Sequence, residues 1–267
     1  MSPSASSPLT RLAELRRASV ETLKLALPGH RLSERLRHVR PAGRLERALR
    51  RGGAAAPLRL LCGIQAPSPA PDAVRAGFDP AARARALESG GAAALAVATE
   101  PARAHGELAW VDAVRAACAL PVLLDDIVVD AYQVLDAAAR GADGIVLIAA
   151  LCSDVQLQVL AGRARLLGLD PLVEVHDAVE LRRALKAGST LIGLGGREPG
   201  VDPAAIASEL APLVPPLVTA VAWGPLAIPD LAALRASRCD ALLAGEDLLA
   251  APDLAAALAT LAAAARG

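Results

Sequence analysis

The sequence predicts a (β/α)8 barrel preceded by a helical extension. Three observations carry that expectation. Short apolar runs recur from residue 58 to the C-terminus. Stretches rich in Ala, Leu and Arg, with apolar residues at helical spacing, separate them. There are eight runs and eight such stretches, spaced about 20–30 residues apart, the repeat that closes into a barrel of parallel strands. An open doubly wound sheet is the alternative, with fewer such units as a rule.

Residues 1–57 read as the extension and residues 58–267 as the barrel, one domain in all. RLAELRRASVETLKLAL has apolar positions on one helical face and Arg and Glu on the other; Pro28-Gly29 ends it. A second helix around LSERLRHV stops before Pro41. Strands are expected at 58–64, 92–97, 121–124, 144–148, 171–175, 190–194, 216–221 and 240–244. The intervening helices include DPAARARALESG, VDAVRAACA, DAYQVLDAAARG, SDVQLQVLAGRARLLG and DAVELRRALKAG. Gly90, Gly141, Gly168 and Gly188 mark helix stops.

Composition narrows the function. The chain has 267 residues, 54% hydrophobic and 21% charged, ample for one sizeable core. Its net charge is zero, which leaves no electrostatic footprint for nucleic acid or a membrane surface. Phe78, Trp110, Tyr132 and Trp223 are the only aromatics, too few for a base-stacking platform. Apolar runs are broken well before the ~18–20 residues of a membrane span, and MSPSASSPLT lacks a signal-peptide core. Cys62, Cys118, Cys152 and Cys239 form no CxxC pair and read as core thiols in a reducing, cytoplasmic setting. No cofactor and no metal are expected. Of 28 basic residues only Lys24 and Lys186 are lysines, so a pocket needing several is excluded by counting.

Barrel active sites sit at the C-terminal ends of the strands. The residues to inspect there are Cys62, Ile64, Thr99, Glu100, Asp125, Ala149, Glu174, Gly195, Ala222, Trp223, Gly245 and Glu246.

The strings GFDP (77–80), SGGAAALAV (89–97), PVLLDDIVVDAYQV (121–134), GADGIVLIAAL (141–151), LVEVHDAVEL (172–181) and GLGGRE (193–198) occur in the order and spacing of one family. The chain resembles indole-3-glycerol phosphate synthase over essentially its whole length. The resemblance implies decarboxylating ring closure of 1-(2-carboxyphenylamino)-1-deoxyribulose 5-phosphate, in tryptophan biosynthesis. Such a reaction needs a lysine ammonium at the ketone, carboxylates to move protons, and a cradle for the phosphate.

Carried over by position, much of that chemistry is missing. The family's Glu-x-Lys on strand one falls on Cys62 and Ile64, and its second lysine on Asp125. The Phe of its aromatic pocket falls on Ile127, and the Asn closing strand six on Gly195. Glu-Ser-Gly on strand seven becomes Ala222-Trp223-Gly224, and Gly-Ser near strand eight becomes Gly245-Glu246, where a carboxylate would repel phosphate. Glu174 and Arg197 are retained. Positions that build the barrel fit the family; most of those of its polar pocket do not.

Several readings stay open. Glu174 is either a working acid/base or an inherited residue. Asp125 either faces Glu174, with Glu246 as a conceivable third oxygen ligand for a cation, or turns outward to an arginine. Arg197 either holds a ligand carboxylate or neutralises Glu174 or Asp125. Cys62 is either a nucleophile or a small buried thiol, since neither His105 nor His176 has the spacing of a Cys–His pair. Lys186 reads as a helix-terminal cation. GLGGREPG is a glycine-rich turn that can approach an anion, without being a P-loop. Trp223 either fills the barrel top or stacks on an aromatic ligand. Three functions follow: a silent or regulatory barrel with a small-molecule ligand or protein partner; an enzyme with changed lyase or cyclase chemistry on a non-phosphorylated molecule through Glu174; or residual synthase activity. A mouth plugged by Trp223 favours the first, and converging Asp125 and Glu174 the second.

Overall fold

Alternation along each strand separates two apolar cores, one inside a closed barrel and one between the barrel and its helices. The computed structural model describes residues 7–36, 41–53, 55–66, 77–101, 106–196, 201–245 and 253–266. The strands are β1 (Arg59–Ile64), β2 (Ala94–Ala98), β3 (Val122–Asp125), β4 (Gly144–Ile148), β5 (Asp170–Val175), β6 (Leu191–Gly195), β7 (Thr219–Trp223) and β8 (Ala241–Ala244). They pair in parallel in chain order, and β8 closes on β1. This is the expected (β/α)8 barrel. The strand expected at 216–221 begins later, at Thr219. Pro215 and Pro216 have no N–H to donate to a ladder, and Val218 N–H turns back to Pro215.

The extension holds α1 (Pro8–Ala26), α2 (Gly29–Arg35) and α3 (Arg44–Leu49). The described helices around the barrel are α4 (Pro80–Ser89), α5 (Ala109–Ala117), α6 (Ala131–Ala139), α7 (Asp154–Leu166), α8 (Ala178–Lys186), α9 (Pro203–Leu210), α10 (Asp230–Ala236) and α11 (Leu254–Arg266). Most of their starts follow from side-chain caps. Asp79, Asp177 and Asp202 accept first-turn N–H groups, and Asp130 with Gln133 and Ser153 with Gln156 form capping boxes. Gly141, Gly168 and Gly188 take the left-handed conformation as expected of helix stops. After α4 that role falls to Gly91 rather than Gly90.

The extension packs on both ends of the barrel. At the strands' N-terminal end, Leu45 and Leu49 of α3 join the inner core. Asp170, the first residue of β5, accepts the N–H groups of Gly43, Leu45 (2.8 Å) and Glu46 (3.0 Å), and so caps α3 from outside it. Leu9 and Ala13 of α1 join the inner core together with Ile127 and Ile148. Arg16 of α1 reaches Asp126, just past β3, at 2.5 Å. Val20 and Leu32 pack with Tyr132 and Leu135 of α6. No described helix is long and apolar enough to cross a membrane.

Candidate functional site

Glu174 lies on β5 and points into the barrel near its C-terminal mouth, 5% exposed. A carboxylate so buried needs its oxygens satisfied. Trp223 Nε1, from β7, donates to Oε2 at 2.5 Å. His176 Nε2 lies 3.0 Å from Oε1. The other ring nitrogen, Nδ1, lies 3.0 Å from Oε2 of Glu180, which also accepts the His176 backbone N–H at 2.9 Å. With an acceptor on each side, the ring is held as an imidazolium. Hydrogen bonds to Glu174 and then Glu180 raise its pKa to about 10, against a lowering by burial. The result is a chain Trp223–Glu174–His176–Glu180.

Glu180 was legible as part of this chain. Asp177-x-x-Glu180 is a capping pattern: Asp177 caps α8, and Glu180 reaches back over the turn to His176.

Trp223 is fully buried and joins the inner core with Leu172, Leu191 and Leu243. Its ring has room because β6 is short of side chains. A Cβ on Gly193 would come 3.3 Å from Trp223 Cγ, and one on Gly196 2.5 Å from the His176 ring. Gly195 and Gly224 have positive φ, and a Cβ on either would collide with a backbone carbonyl. Gly193, Gly195 and Gly196 thus make way for Trp223, His176 and crossing backbone. Of the two readings of Trp223, filling the barrel top is the one this geometry matches.

Strand β1 requires a correction. Cys62 and Ile64 face outward, in the core shared with Ala84 and Leu87 of α4, whereas Leu61 faces the barrel interior. Burial pushes the Cys62 thiol up to about 12, far from a thiolate. Cys62 therefore lines no ligand site in the mouth. Alternation puts the inner positions at Gly63 and, past the strand's end, half-buried Gln65. The Glu-x-Lys pair read one residue later falls on these two, and neither carboxylate nor ammonium is present there either.

Asp125 closes β3 and is half-buried. Among the described residues no hydrogen bond joins it to Glu174, whose oxygens are occupied by Trp223 and His176. No three His, Cys, Asp or Glu side chains among the described residues converge as a metal site. Gly245 directly follows β8. Arg197, His105 and Glu246 lie outside the described residues. Lys24 is held in α1 by Asp130 (2.7 Å) and Glu21 (2.8 Å), and Lys186 is exposed at the C-terminal end of α8.

The sequence model of the indole-3-glycerol phosphate synthase family matches residues 9–261. The chain belongs to this family. Its relatives include indole-3-glycerol phosphate synthase 1 of Streptomyces coelicolor, 39% identical over 87% of this chain and 86% of that one. The synthase of Azospirillum brasilense is 38% identical over 93% and 96%. That of Parafrankia is 44% identical over 68% and 69%. Among solved structures, thiamine phosphate pyrophosphorylase from Pyrococcus furiosus superposes with a TM-score of 0.60 at 19% identity, over 78% of this chain and 95% of that one. At that identity the likeness is one of fold alone.

Proposed function

We propose that this chain keeps the barrel of the indole-3-glycerol phosphate synthase family without its decarboxylating ring closure, and acts as a binding or regulatory barrel. The carrying observation is the placement of its lysines. The family's reaction calls for an ammonium at the substrate ketone and a second as general acid. This chain has two lysines, one tied to Asp130 and Glu21 in the extension and one exposed at the end of α8. Loss of one oriented general acid costs about 10²–10⁴ in rate.

Trp223 supports the same reading. Its indole occupies the top of the inner core and takes an oxygen of Glu174, the carboxylate the family would use on substrate. Altered acid/base chemistry through Glu174 has less support, because both of its oxygens are engaged within the protein. The ligand on this reading is a small molecule or a protein partner, in a reducing cytoplasm that suits four free thiols.

The test is incubation of the purified protein with 1-(2-carboxyphenylamino)-1-deoxyribulose 5-phosphate, following indole fluorescence for hours against a blank. No product above the blank is expected. Product that disappears in Glu174→Gln would overturn the proposal and assign the chain to tryptophan biosynthesis as a working synthase.

A further inference from the structure

The end of the barrel opposite Glu174 carries a cavity of about 410 Å³. Three arginines line it, Arg50, Arg51 and Arg238, against a single carboxylate, Asp240. We propose that this cavity is a binding site for a phosphate monoester.

The three guanidinium groups are unevenly paired. Arg50 has an ion pair with Glu46, and its Nε donates to Thr219. Arg51 and Arg238 have no ion pair among the described residues. Arg51 is 8% exposed, yet its Nη groups donate only to the carbonyls of Arg235 and Ser237. Arg238 donates to the carbonyls of Val214 and Pro215. Asp240 makes no ion pair with either guanidinium among the described residues; its oxygens accept the backbone N–H groups of Arg51 and Ala220. A buried guanidinium facing carbonyl dipoles alone is costly unless an anion completes its shell.

The carbonyl bonds also hold both guanidinium groups in place, so a ligand would find them already oriented. Each keeps N–H donors beyond those spent on the carbonyls. Planar forks of this kind match phosphate oxygens in pairs. Three guanidinium groups against Glu46 and Asp240 leave a net positive charge at the cavity, and a phosphate monoester has three terminal oxygens to share between two forks where a carboxylate has two. The volume admits a small organic group on the phosphate. Because the cavity lies beside the N-terminal ends of β7 and β8, the proposal is independent of whether any chemistry survives at the mouth.

Inorganic phosphate is the probe, titrated calorimetrically at constant ionic strength with chloride as the control. Saturable binding is expected, weakened about tenfold or more in Arg238→Gln, since a hydrogen bond to a charged group contributes about 1.5–3 kcal/mol. Ala236→Glu, at an exposed lining position, should weaken it as strongly by adding a carboxylate while leaving every arginine in place. Unchanged melting temperatures of the unliganded variants would confirm folding. Binding no stronger than the chloride control, or equal in wild type and Ala236→Glu, would overturn the proposal.

Discussion

Trp223 and Glu174, 49 residues apart, are joined by a 2.5 Å hydrogen bond across the interior of the barrel. The bond satisfies a buried carboxylate and a buried indole N–H together, each of which would otherwise lose its water partners without replacement. Trp223→Phe keeps most of the volume and removes the donor. It should destabilise by about 1–3 kcal/mol, the cost of an unsatisfied buried group. Trp223→Ala should cost about 3–5 kcal/mol through the cavity it leaves. Urea unfolding midpoints measure both, and a Phe variant as stable as wild type would show that the bond contributes nothing.

His176 makes stability depend on pH. Its pKa is raised from 6.5 to about 10 by Glu174 and Glu180, so folding favours the protonated ring. That contribution is fully present below the unfolded value of 6.5 and is lost as pH rises through about 10. The stability gap between wild type and His176→Gln should therefore narrow over that window. A gap that stays constant from below the first value to above the second would contradict the imidazolium assignment.

Arg16 and Asp126 join α1 to the end of β3 with side chains 4% and 1% exposed. Arg16→Met should cost about 3–5 kcal/mol, because it strands Asp126 in the interior. Burial already pushes the Asp126 carboxyl up despite Arg16, so acidification should reduce the penalty by protonating it. The double variant Arg16→Met/Asp126→Leu should recover most of the loss. Denaturant titrations of the wild type and both variants at two pH values test this directly.

Asp170 caps α3 by accepting N–H groups from Leu45 and Glu46 as well as Gly43. Asp170→Ala should cost about 1–2 kcal/mol, the usual cost of a lost cap. Hydrogen exchange at the Leu45 and Glu46 amides should accelerate, with the amides of α7 unaffected. Uniform acceleration throughout would indicate global loosening instead.

The barrel was legible because its signals are local and repeat. Strand β4 matches the expected span, and most other ends differ by one or two residues. The clear miss at β7 followed from reading Pro216 as a strand residue, although it cannot donate to a ladder. Misreading β1 had another cause. LLCGI is apolar on both faces, so its composition carries no mark of which residues face inward, and a one-residue slip reverses them. Cys62 was accordingly assigned to the mouth when it belongs to the outer core. His176 and Glu180 were within reach through the capping pattern that brings them together.

The sequence by itself determined the eightfold repeat and the shortage of lysine. Each depends on counts or periodicity along the chain. Tertiary structure alone decided that Trp223 caps Glu174, that Arg16 meets Asp126 110 residues away, and that Asp170 caps α3 from β5. Those partners are brought together by closure of the barrel and by the extension packing on its two ends. Buried charges and N–H groups must find partners wherever the closed fold provides them, and sequence spacing does not record that choice.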